Sequence, residues 1–363
     1  MEHIDVAVIG AGVTGLASAR AIALLGYSVC LLERHPRPGL DTSTHNSGVI
    51  HAGFYYPTGS LKAKLCVEGR RLLYAFCAAN GVPHSNCGKL VVAHEPGEIA
   101  GLETLARRGA ANGVRGLEIV DRPFVLRREP SVNAVAALWS PETGIVDAEE
   151  LVKALLRTAA EQGVVFLPGT RLDGAERGAD GMRLHTARET IHARIVVNAA
   201  GLYADDVSAL LGGETFRIYP ARGEYAEFVP AKRHLVNGLV YPPPDTHGLG
   251  VHLVKTMGGQ VWLGPTVRFQ ERKDDYESNR LPIEYFEKAV GRLIDGVGRD
   301  DLRLSGSGIR AKLHPESEPF ADFLIRRDRD NPFVVQASGI ESPGLTSCLA
   351  VGELVGRLAA EGL

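Results

Sequence analysis

The sequence predicts a two-domain protein in which an α/β domain is combined with an α+β domain. Its 363 residues are enough for about two domains at roughly 150 residues each. The chain opens with a short apolar strand, a glycine-rich turn and a helix, which is the order of a parallel α/β unit. From Phe216 to Lys312 it changes to long alternating segments with Pro and Gly between them, which are typical of an antiparallel sheet.

The first three elements form a βαβ unit. Ile4 to Ile9 is short, apolar and rich in β-branched residues, as in a strand that is buried on both faces. Helical spacing then runs from Thr14 to Leu25 and ends at Gly26. A second apolar strand is predicted from Ser28 to Glu33, and it completes the unit.

A long segment without periodicity follows, from Arg34 to Ser60. It is rich in Gly, Pro, Ser, Thr and His and is too long for a simple connector, so we predict a binding loop. A helix is predicted from Leu61 to Asn80, where Gly81 stops it. Between Val82 and Ser140 short strands alternate with a helical stretch.

The middle of the chain returns to the first sheet. Asp147 and Glu150 form a D-x-x-E capping box that opens a helix running to Gln162. Val164 to Val197 is predicted as several strands with glycine-rich turns, and the last of them is apolar and leads into Asn198–Gly201. We expect this last strand to lie beside the first one.

The last two predicted features are a hairpin and a C-terminal unit. Met257-Gly258-Gly259-Gln260 is a hairpin signal inside the antiparallel region. Phe333 to Gln336 is predicted as a strand, and a glycine-rich turn and a helix to the C-terminus follow it.

Composition excludes several classes of protein. Hydrophobic residues make up 45% and charged residues 23% of the chain, which fits neither a disordered chain nor an integral membrane protein. Lys and Arg number 40 against 43 Asp and Glu, so there is no basic excess for nucleic acid. Glycine accounts for 42 of the 363 residues. This share exceeds the ~7% that is usual in proteins, and the glycines do not follow the three-residue period of collagen. The fold therefore needs many positions at which the backbone is bare.

Cysteine usage and the N-terminus favour a cytoplasmic protein. The five cysteines are odd in number, widely spaced and without a C-x-x-C pair, so we expect neither a disulfide framework nor a metal site. The apolar run from Val6 to Leu25 contains Arg20 and lacks a basic segment before it, unlike a signal peptide. Peripheral contact with the inner face of a membrane stays open.

A dinucleotide-binding motif lies between the first strand and the first helix. Gly10-Ala11-Gly12-Val13-Thr14-Gly15 matches G-x-G-x-x-G in the structural context that makes this pattern specific. Gly10 permits the tight turn, Gly12 lets a pyrophosphate approach, and Gly15 lets the helix pack on the strand. Val13 and Thr14 lie at the start of the predicted helix, whose N-terminal N–H groups favour an anion. The carboxylate of Glu33 is placed to bind the ribose hydroxyls and to disfavour a 2′-phosphate.

The remaining motifs resemble those of one flavoprotein family. The long binding loop after the second strand interrupts the series of βα units usual in nicotinamide dehydrogenases. The chain resembles the FAD-dependent L-2-hydroxyglutarate oxidase/dehydrogenase family, within the D-amino-acid-oxidase-like group that includes glycine oxidase and glycerol-3-phosphate dehydrogenase. The resemblance covers nearly the whole chain and rests on the order of Ser43–Gly53, Tyr55–Pro57, Ser60–Cys66, Asn198–Asp205, Pro220–Tyr225, Gly250–Leu253, Gly308–Lys312 and Ser342–Ser347.

The resemblance implies the architecture and the cofactor site. A Rossmann-like FAD-binding domain would be split into residues 1–80, 141–212 and 330–363, and a mainly antiparallel substrate domain would comprise residues 81–140 and 213–329. The loop Thr42 to Gly48 would wrap the flavin, and the N–H groups of Gly344 to Thr346 would face its N1–C2=O edge. The implied cofactor-binding residues are Gly10, Gly12, Val13, Thr14, Gly15, Glu33, Arg34, Thr42, Ser43, Asn46, Ser47, Gly48, Val49, Leu172, Ala200, Gly201, Gly339, Gly344, Leu345 and Thr346.

Two histidines and one arginine are the candidates for catalysis. Oxidation of a 2-hydroxy acid by hydride transfer to flavin N5 requires a base, and a neutral His51 or His252 suits that role. A histidine in such a motif can alternatively anchor the flavin covalently, or be structural. Arg310 is the candidate clamp for the substrate carboxylate, because its planar guanidinium binds a carboxylate through two hydrogen bonds.

The resemblance also implies a small anionic substrate, most simply L-2-hydroxyglutarate, which is oxidised to 2-oxoglutarate. Tyr56, Arg222, Tyr241 and Arg310 are the expected substrate-binding residues. Other possible cations for the distal carboxylate are Lys64, Lys255 and Lys312, and Tyr55 is a further candidate for the pocket wall. A quinone, another acceptor or oxygen would re-oxidise the flavin. Two alternatives are an amino-acid or secondary-amine oxidase and a nucleotide-binding scaffold without turnover.

Overall fold

The computed structural model describes residues 3–243 and 250–363, so residues 1, 2 and 244–249 of the predicted domains lie outside the described part. The helices within it are α1 (Val13–Leu24), α2 (Leu61–Asn80), α3 (Ile99–Ala111), α4 (Arg122–Arg128), α5 (Ala148–Glu161), α6 (Ala204–Leu210), α7 (Ile283–Val290) and α8 (Gly344–Ala360). None of these helices is long and apolar enough to cross a membrane.

The described part also contains twenty strands. They are β1 (His3–Ile9), β2 (Val29–Leu32), β3 (Val49–Ile50), β4 (His84–Ser85), β5 (Lys89–Ala93), β6 (Glu118–Asp121), β7 (Ala136–Ser140), β8 (Gly144–Val146), β9 (Val165–Leu167), β10 (Gly174–Arg177), β11 (Met182–His185), β12 (Thr190–Asn198), β13 (Tyr219–Phe228), β14 (Leu239–Tyr241), β15 (Leu253–Lys255), β16 (Val261–Leu263), β17 (Arg268–Phe269), β18 (Leu302–Lys312), β19 (Leu324–Arg327) and β20 (Val334–Ser338).

The first sheet has the parallel centre that the sequence predicts. Its strands follow the order β10-β11-β12-β1-β2-β9, with β20 beside β12 and β19 beside β20. The β1 strand is parallel to β2 and to β12, and β12 is parallel to β20. The apolar strand at Ile195–Val197 therefore does return to the first strand, as predicted. Because β1 and β2 are covered on both faces, residues 6–9 of β1 and all four residues of β2 are buried and apolar.

Four helices cover one face of this sheet. The α1 helix packs against α5 and α8, and α2 packs against α8. A Cβ atom at Gly352 would lie 2.6 Å from the carbonyl oxygen of Ala17, so glycine is what allows α1 and α8 to approach so closely. The N-terminus of α8 is thereby held on the same side of the molecule as α2.

The second sheet is antiparallel apart from one parallel pair. Its order is β17-β13-β16-β15-β14-β5-β7-β6, and β18 pairs with β13. The β14 and β5 strands form the parallel pair. Strands from both predicted substrate segments thus join one sheet. The short strands β3, β8 and β4 form a small third sheet in that order. One strand differs from the expected division, because β19, from the segment 213–329, pairs with β20 in the first sheet.

Local signals set several element ends as predicted. The Ser60 hydroxyl accepts a hydrogen bond from the Ala63 N–H at the start of α2, and Gly81 ends that helix with a φ of 69°. Asp147 accepts one from the Glu150 N–H at the start of α5. The predicted hairpin joins β15 to β16, where the Thr256 N–H donates to the Gln260 carbonyl over 2.8 Å.

Candidate active site

A cavity of about 510 Å³ lies between the two large sheets. Its wall includes the N-terminal ends of α1 and α8, the loop at residues 42–49 and the facing parts of β13 and β18. His51, His252 and Arg310 all line it. The structure thus brings the predicted dinucleotide motif and the three catalytic candidates to one continuous space.

Glycine shapes the turn between β1 and α1, next to the cavity. Gly10 has a φ of 101°, and a Cβ atom there would lie 2.6 Å from the Ala199 carbonyl oxygen. A Cβ atom at Gly15 would overlap the Gly10 carbonyl oxygen. The first turn of α1 has no side-chain cap from Gly12, although the Val13 N–H donates to the Ser43 hydroxyl over 3.0 Å. Such a glycine-lined helix start is suited to a pyrophosphate.

Glu33 lies at the end of β2, as predicted, and it organises the surrounding backbone. One carboxylate oxygen accepts a hydrogen bond from the Ala11 N–H over 2.8 Å, and the other accepts one from the His35 N–H over 2.9 Å. The neighbouring Arg34 pairs with Asp41 at 2.9 Å, and its guanidinium lies 3.7 Å from the ring centre of Tyr203. These contacts hold the start of the long binding loop against the dinucleotide motif.

The predicted flavin loop is held by its own side chains. The Thr42 hydroxyl donates to the Ile309 carbonyl over 2.9 Å and so fastens the loop to β18. The Asn46 amide donates to the Ser43 carbonyl and accepts from the Gly48 N–H. Asn46 therefore already uses both ends of its amide within the loop. Ser47 lines the cavity beside it.

The start of α8 is tied to the histidine motif. The hydroxyl of Thr346 accepts a hydrogen bond from the His51 N–H over 2.9 Å and lies 3.3 Å from the Val49 carbonyl. Gly344, Leu345 and Thr346 all line the cavity. Because the first N–H groups of a helix have no intrahelical partner, this wall favours negative charge.

The predicted cofactor residues divide into two groups. Those that line the cavity are Gly12, Val13, Thr14, Thr42, Ser43, Asn46, Ser47, Val49, Gly201, Gly344, Leu345 and Thr346. Gly10, Gly15, Glu33, Arg34, Gly48, Leu172, Ala200 and Gly339 lie outside its lining. Leu172 belongs to the apolar core with Ile9 and Leu32.

The arrangement fits an extended dinucleotide such as FAD. A glycine turn that excludes Cβ atoms precedes α1, and the N-terminus of a second helix, α8, lines the same cavity as the start of α1. The residues that would hold the phosphates are those of the α1 start and Ser43. The α8 start would face the redox-active ring, where negative charge develops on reduction.

His252 is buried and held in one orientation. Its Nδ1 lies 3.0 Å from the Gly250 carbonyl oxygen, and its ring stacks on that of Tyr241. A carbonyl only accepts hydrogen bonds, so Nδ1 carries the proton and Nε2 keeps a free lone pair. Burial lowers the pKa of His252 to about 3, against a smaller opposing effect of the Gly250 carbonyl. His252 is therefore a neutral imidazole at ordinary pH.

His51 has a less complete set of partners. Its Nε2 lies 3.4 Å from the Ser342 hydroxyl, which lies 3.2 Å from the Tyr56 hydroxyl. The Nδ1 of His51 and the hydroxyl of Tyr55 are buried without a hydrogen-bond partner in the described part of the chain. Burial, followed by the charge of Lys89, lowers the pKa of His51 well below its usual value. Both unpartnered atoms belong to residues that line the cavity, so a polar ligand is their natural partner.

Arg310 faces the cavity from β18. Its Nη1 donates to the Thr266 carbonyl over 3.2 Å. Within residues 3–243 and 250–363 no carboxylate forms an ion pair with it. A Cβ atom at Gly223 would lie 2.8 Å from Nη1, so the glycine leaves room for the guanidinium. Arg310 is thus placed as an available carboxylate clamp.

Arg222 does not occupy the position that the sequence suggested. It is only 1% exposed and lies outside the cavity lining. Its guanidinium pairs with Glu224 at 3.0 Å and donates to the Ser278 carbonyl over 2.6 Å. These contacts use the donors that a substrate would need. The expected role of Arg222 in substrate binding is therefore corrected to a structural one.

The other residues suggested for the substrate pocket separate in the same way. Tyr55, Tyr56, Tyr241 and Lys312 line the cavity. Lys64 is exposed on α2, and Lys255 donates to the Val236 carbonyl over 3.1 Å away from the cavity. Neither of these two lysines is placed to meet a substrate.

The structure adds a buried ionic cluster around Lys312, of which sequence reasoning missed Lys62 and Glu341. The ammonium of Lys62 lies 2.8 Å from one oxygen of Glu341, and that of Lys312 lies 3.2 Å from the other. Burial alone would raise the pKa of Glu341, but the two lysines outweigh it and hold this pKa at about 2. Lys62 lies within Ser60–Cys66, one of the segments that carry the family resemblance, and this was the sequence signal that could have pointed to it. Nothing in the sequence marks it as buried.

Two further cations near the cavity were also missed. Lys89 is fully buried without a hydrogen-bond partner among the described residues, and its ammonium faces the ring of Tyr241 at 4.2 Å. Arg108, on α3, lines the cavity. Both come from the segment 81–140, where the sequence offered no motif.

A dinucleotide site that opens onto a neutral histidine, and onto an arginine without an ion-pair partner among the described residues, is the arrangement of a redox enzyme. The chain belongs to the family of FAD-dependent oxidoreductases described as DAO, whose model matches residues 5–358. Its cofactor is FAD. The predicted fold, cofactor and enzyme class are thereby confirmed.

Relatives with the same printed name match most of the chain. L-2-hydroxyglutarate dehydrogenase, mitochondrial, from Arabidopsis thaliana is 36% identical over 97% of this chain and 82% of that protein. The Nematostella vectensis protein of that name is 34% identical over 99% of this chain and 91% of its own. The match to the Bos taurus protein is 39% identical and covers 75% of this chain but 62% of the bovine protein.

Solved structures show the same fold. A dithionite-reduced L-α-glycerophosphate oxidase from Mycoplasma pneumoniae with FAD bound has a TM-score of 0.91 at 28% identity and covers 99% of this chain and 95% of its own. Glycine oxidase from Geobacillus kaustophilus has a TM-score of 0.82 at 22% identity, with the same coverage of both chains, and shows the fold alone.

Proposed function

We propose that this enzyme oxidises the C2 hydroxyl of a small 2-hydroxy acid, namely L-2-hydroxyglutarate, to give 2-oxoglutarate. The observation that carries the proposal is that a neutral His252 and an available Arg310 line the same cavity as the dinucleotide motif. The name shared by relatives that match nearly the whole chain supports this substrate.

Arg310 would bind the C1 carboxylate. Its fork of N–H donors fixes a carboxylate in one plane, and this orients the neighbouring C2 carbon. The unpartnered Tyr55 hydroxyl and the Nδ1 of His51 would supply further polar contacts. Binding of the acid would then satisfy groups that are otherwise buried without partners, and it would exclude water from the reacting carbon.

His252 would take the proton from the C2 hydroxyl at its Nε2. Stacking on Tyr241 and the contact of Nδ1 with the Gly250 carbonyl leave this lone pair available. Bound FAD supplies the acceptor for the hydride from C2. One proton and one hydride thus leave the substrate, and its C2–O single bond becomes a carbonyl. His51 would hydrogen-bond the substrate hydroxyl and keep it in position. We assign the base to His252 rather than His51 because its tautomer is fixed.

Two electrons must then pass to an external acceptor. A quinone, another small acceptor or oxygen would complete the cycle. A cytoplasmic location with peripheral contact at the inner face of a membrane stays a prediction from the sequence. The acceptor is tested by following re-oxidation of the substrate-reduced enzyme with each oxidant under otherwise equal conditions.

The test of the substrate is anaerobic bleaching of the flavin absorbance. We expect L-2-hydroxyglutarate to bleach the wild-type enzyme, whereas D-2-hydroxyglutarate, glycine, sarcosine and D-amino acids leave it oxidised. Bleaching by amines or amino acids alone would instead support an amine or amino-acid oxidase. An Arg310→Met variant should keep its FAD and show a raised KM for L-2-hydroxyglutarate. An unchanged KM in this variant would show that Arg310 does not bind the substrate.

A further inference from the structure

The cavity contains four cationic side chains within the described part of the chain, namely Lys62, Arg108, Arg310 and Lys312. Glu341 is the one carboxylate that residues 3–243 and 250–363 add to this lining, and it is shared by the two lysines. Arg310 is assigned to the C1 carboxylate under the proposed function. Among the described residues, Arg108 is then the remaining cation of the lining that has no anionic partner.

Arg108 reaches the cavity from the last part of α3. Leu105, three residues earlier on the same helix face, also lines the cavity. The Nη1 of Arg108 donates to the Tyr55 carbonyl over 3.2 Å. One residue beyond α3, the Asn112 amide donates to the Tyr56 carbonyl over 2.9 Å. The end of α3 is thus fastened to the segment that carries two tyrosines of the cavity wall.

The surroundings of Arg108 leave most of its donors unused. Its side chain is half-buried, the Tyr55 carbonyl is its hydrogen-bond partner, and no ion pair with it occurs in residues 3–243 and 250–363. The neighbouring Arg107 instead turns to solvent and lies 3.8 Å from Glu103. A half-buried guanidinium that faces the cavity, and that pairs with no carboxylate among the described residues, is suited to a carboxylate of the ligand.

The lysine pair is less suited to that task. Glu341 lies 2.8 Å from the ammonium of Lys62 and 3.2 Å from that of Lys312, and all three side chains are buried. Much of the positive charge of the pair is therefore offset by the protein itself. An additional carboxylate would have to compete with Glu341 for the same donors.

We propose that Arg108 binds the distal carboxylate of the substrate and makes the site selective for dicarboxylic 2-hydroxy acids. This inference rests on the proposed function, because it adds a second anchor to the acid that Arg310 holds. A monocarboxylic acid of the same length would use Arg310 alone. The selectivity between the two acids would therefore depend on one side chain from α3.

The test compares two acids of equal chain length in the FAD-loaded enzyme. For Arg108→Met we expect KM for L-2-hydroxyglutarate to rise by about 10- to 100-fold, as for loss of a charge-assisted hydrogen bond. The KM for L-2-hydroxyvalerate, which lacks the distal carboxylate, should stay within about twofold. Arg107→Met, one residue away on the exposed face of the same helix, should leave both KM values unchanged.

A binding measurement makes the result independent of turnover. The dissociation constants of 2-oxoglutarate and 2-oxovalerate are measured by calorimetry for the wild type, Arg108→Met and Arg108→Lys. We expect the wild type to prefer the dicarboxylate, Arg108→Met to lose that preference, and Arg108→Lys, which keeps the charge, to retain part of it.

The outcomes separate the inference from the function on which it rests. The role of Arg108 is overturned if Arg108→Met weakens the binding of both acids equally or leaves the preference for the dicarboxylate unchanged. If Lys62→Met loses that preference instead, the second anchor lies at the lysine pair. The proposed function is overturned if no 2-hydroxy acid bleaches the flavin. The binding measurement would still test Arg108, because it compares the preference for 2-oxoglutarate over 2-oxovalerate in the wild type and in Arg108→Met.

Discussion

The imidazole of His252 stacks on the phenol ring of Tyr241, with ring centroids 3.7 Å apart and planes inclined by 15°. The same phenol ring faces the buried ammonium of Lys89 at 4.2 Å. Tyr241 therefore contacts both His252, which lines the cavity, and Lys89, which lies outside its lining. The stack fixes the ring plane of His252, while the Gly250 carbonyl fixes its rotation.

Replacing Tyr241 tests whether stacking positions the base. Tyr241→Leu should lower the rate of anaerobic flavin reduction by at least about tenfold, since a general base contributes about 10²- to 10⁴-fold only when it is correctly placed. Tyr241→Phe keeps the ring and should stay within a few-fold of the wild type. Stopped-flow absorbance at saturating L-2-hydroxyglutarate measures both rates. Equal loss in the two variants would point to the hydroxyl and contradict the stacking role.

Lys89 should limit the stability of the folded protein. Its ammonium is surrounded by the rings of Phe54, Tyr55 and Tyr241 at 4.2 to 4.7 Å. Burial lowers the pKa of Lys89 from 10.5 to about 7. Between these values the unfolded chain binds a proton that the folded one does not, so stability rises with pH across this window. The cost of burying the charged form is greatest below pH 7.

Lys89→Met removes this cost and should stabilise the protein at pH 6. We expect a gain of about 1–3 kcal/mol, because the lost cation–π contacts offset part of the desolvation energy. The gain should shrink as the pH rises from 7 to 10. Denaturant unfolding at several pH values measures it, with Lys153→Met at an exposed position as the control. A variant that is less stable at pH 6 would show that the cage holds the cation favourably.

Much of the architecture was predictable because its signals are local. The glycine turn before α1, the Ser60 and Asp147 caps and the hairpin between β15 and β16 each depend on residues close together in sequence. Backbone conformations of this kind follow from the residues themselves. The sequence therefore predicted the order of elements and the place of the cofactor motif.

Which side chains face the cavity depends on the register in which β13 and β18 pair. This register could not be derived from the sequence pattern alone. In the pair of β13 and β18, Arg310 lies opposite Ala221, whereas Arg222 lies opposite Ile309. Residues that are directly opposite each other share a face, and successive residues alternate, so Arg222 and Arg310 point to opposite sides of the sheet. Lys89 and Arg108 were missed for a related reason, since their surroundings come from distant parts of the chain.

Glu341 should contribute stability through its two lysines. Glu341→Gln leaves the buried ammonium groups of Lys62 and Lys312 without a counter-charge, and we expect a loss of about 3–5 kcal/mol at pH 7. The pKa of Glu341 is held at about 2, below its usual 4.5. Its contribution is therefore fully present above pH 4.5 and is lost as the pH falls from 4.5 towards 2.

Thermal unfolding at pH 7 and at low pH measures this effect. The destabilisation in Glu341→Gln should be largest at pH 7 and smallest near pH 2. The double variant Lys62→Met with Glu341→Gln should recover part of the stability, since it buries one unpaired charge fewer. A double variant that is no more stable than the single one would contradict the pairing.

Gly12 should be required for FAD binding through the space it leaves at the start of α1. A Cβ atom there would lie 2.8 Å from the Ser43 hydroxyl, which accepts the hydrogen bond from the Val13 N–H. Gly12→Ala should therefore weaken FAD binding at least about tenfold, or about 1.4 kcal/mol. Titration of the apoprotein with FAD, followed by flavin fluorescence, measures the dissociation constant, and circular dichroism checks the fold.

A double variant separates two causes of that loss. Gly12→Ala with Ser43→Gly removes the clash with the hydroxyl but still keeps a methyl group where the pyrophosphate would approach. We expect FAD affinity to stay low in the double variant, and Ser43→Gly alone to weaken it less. Full recovery in the double variant would mean that Gly12 serves only to accommodate Ser43, and that the phosphates bind elsewhere on the cavity wall.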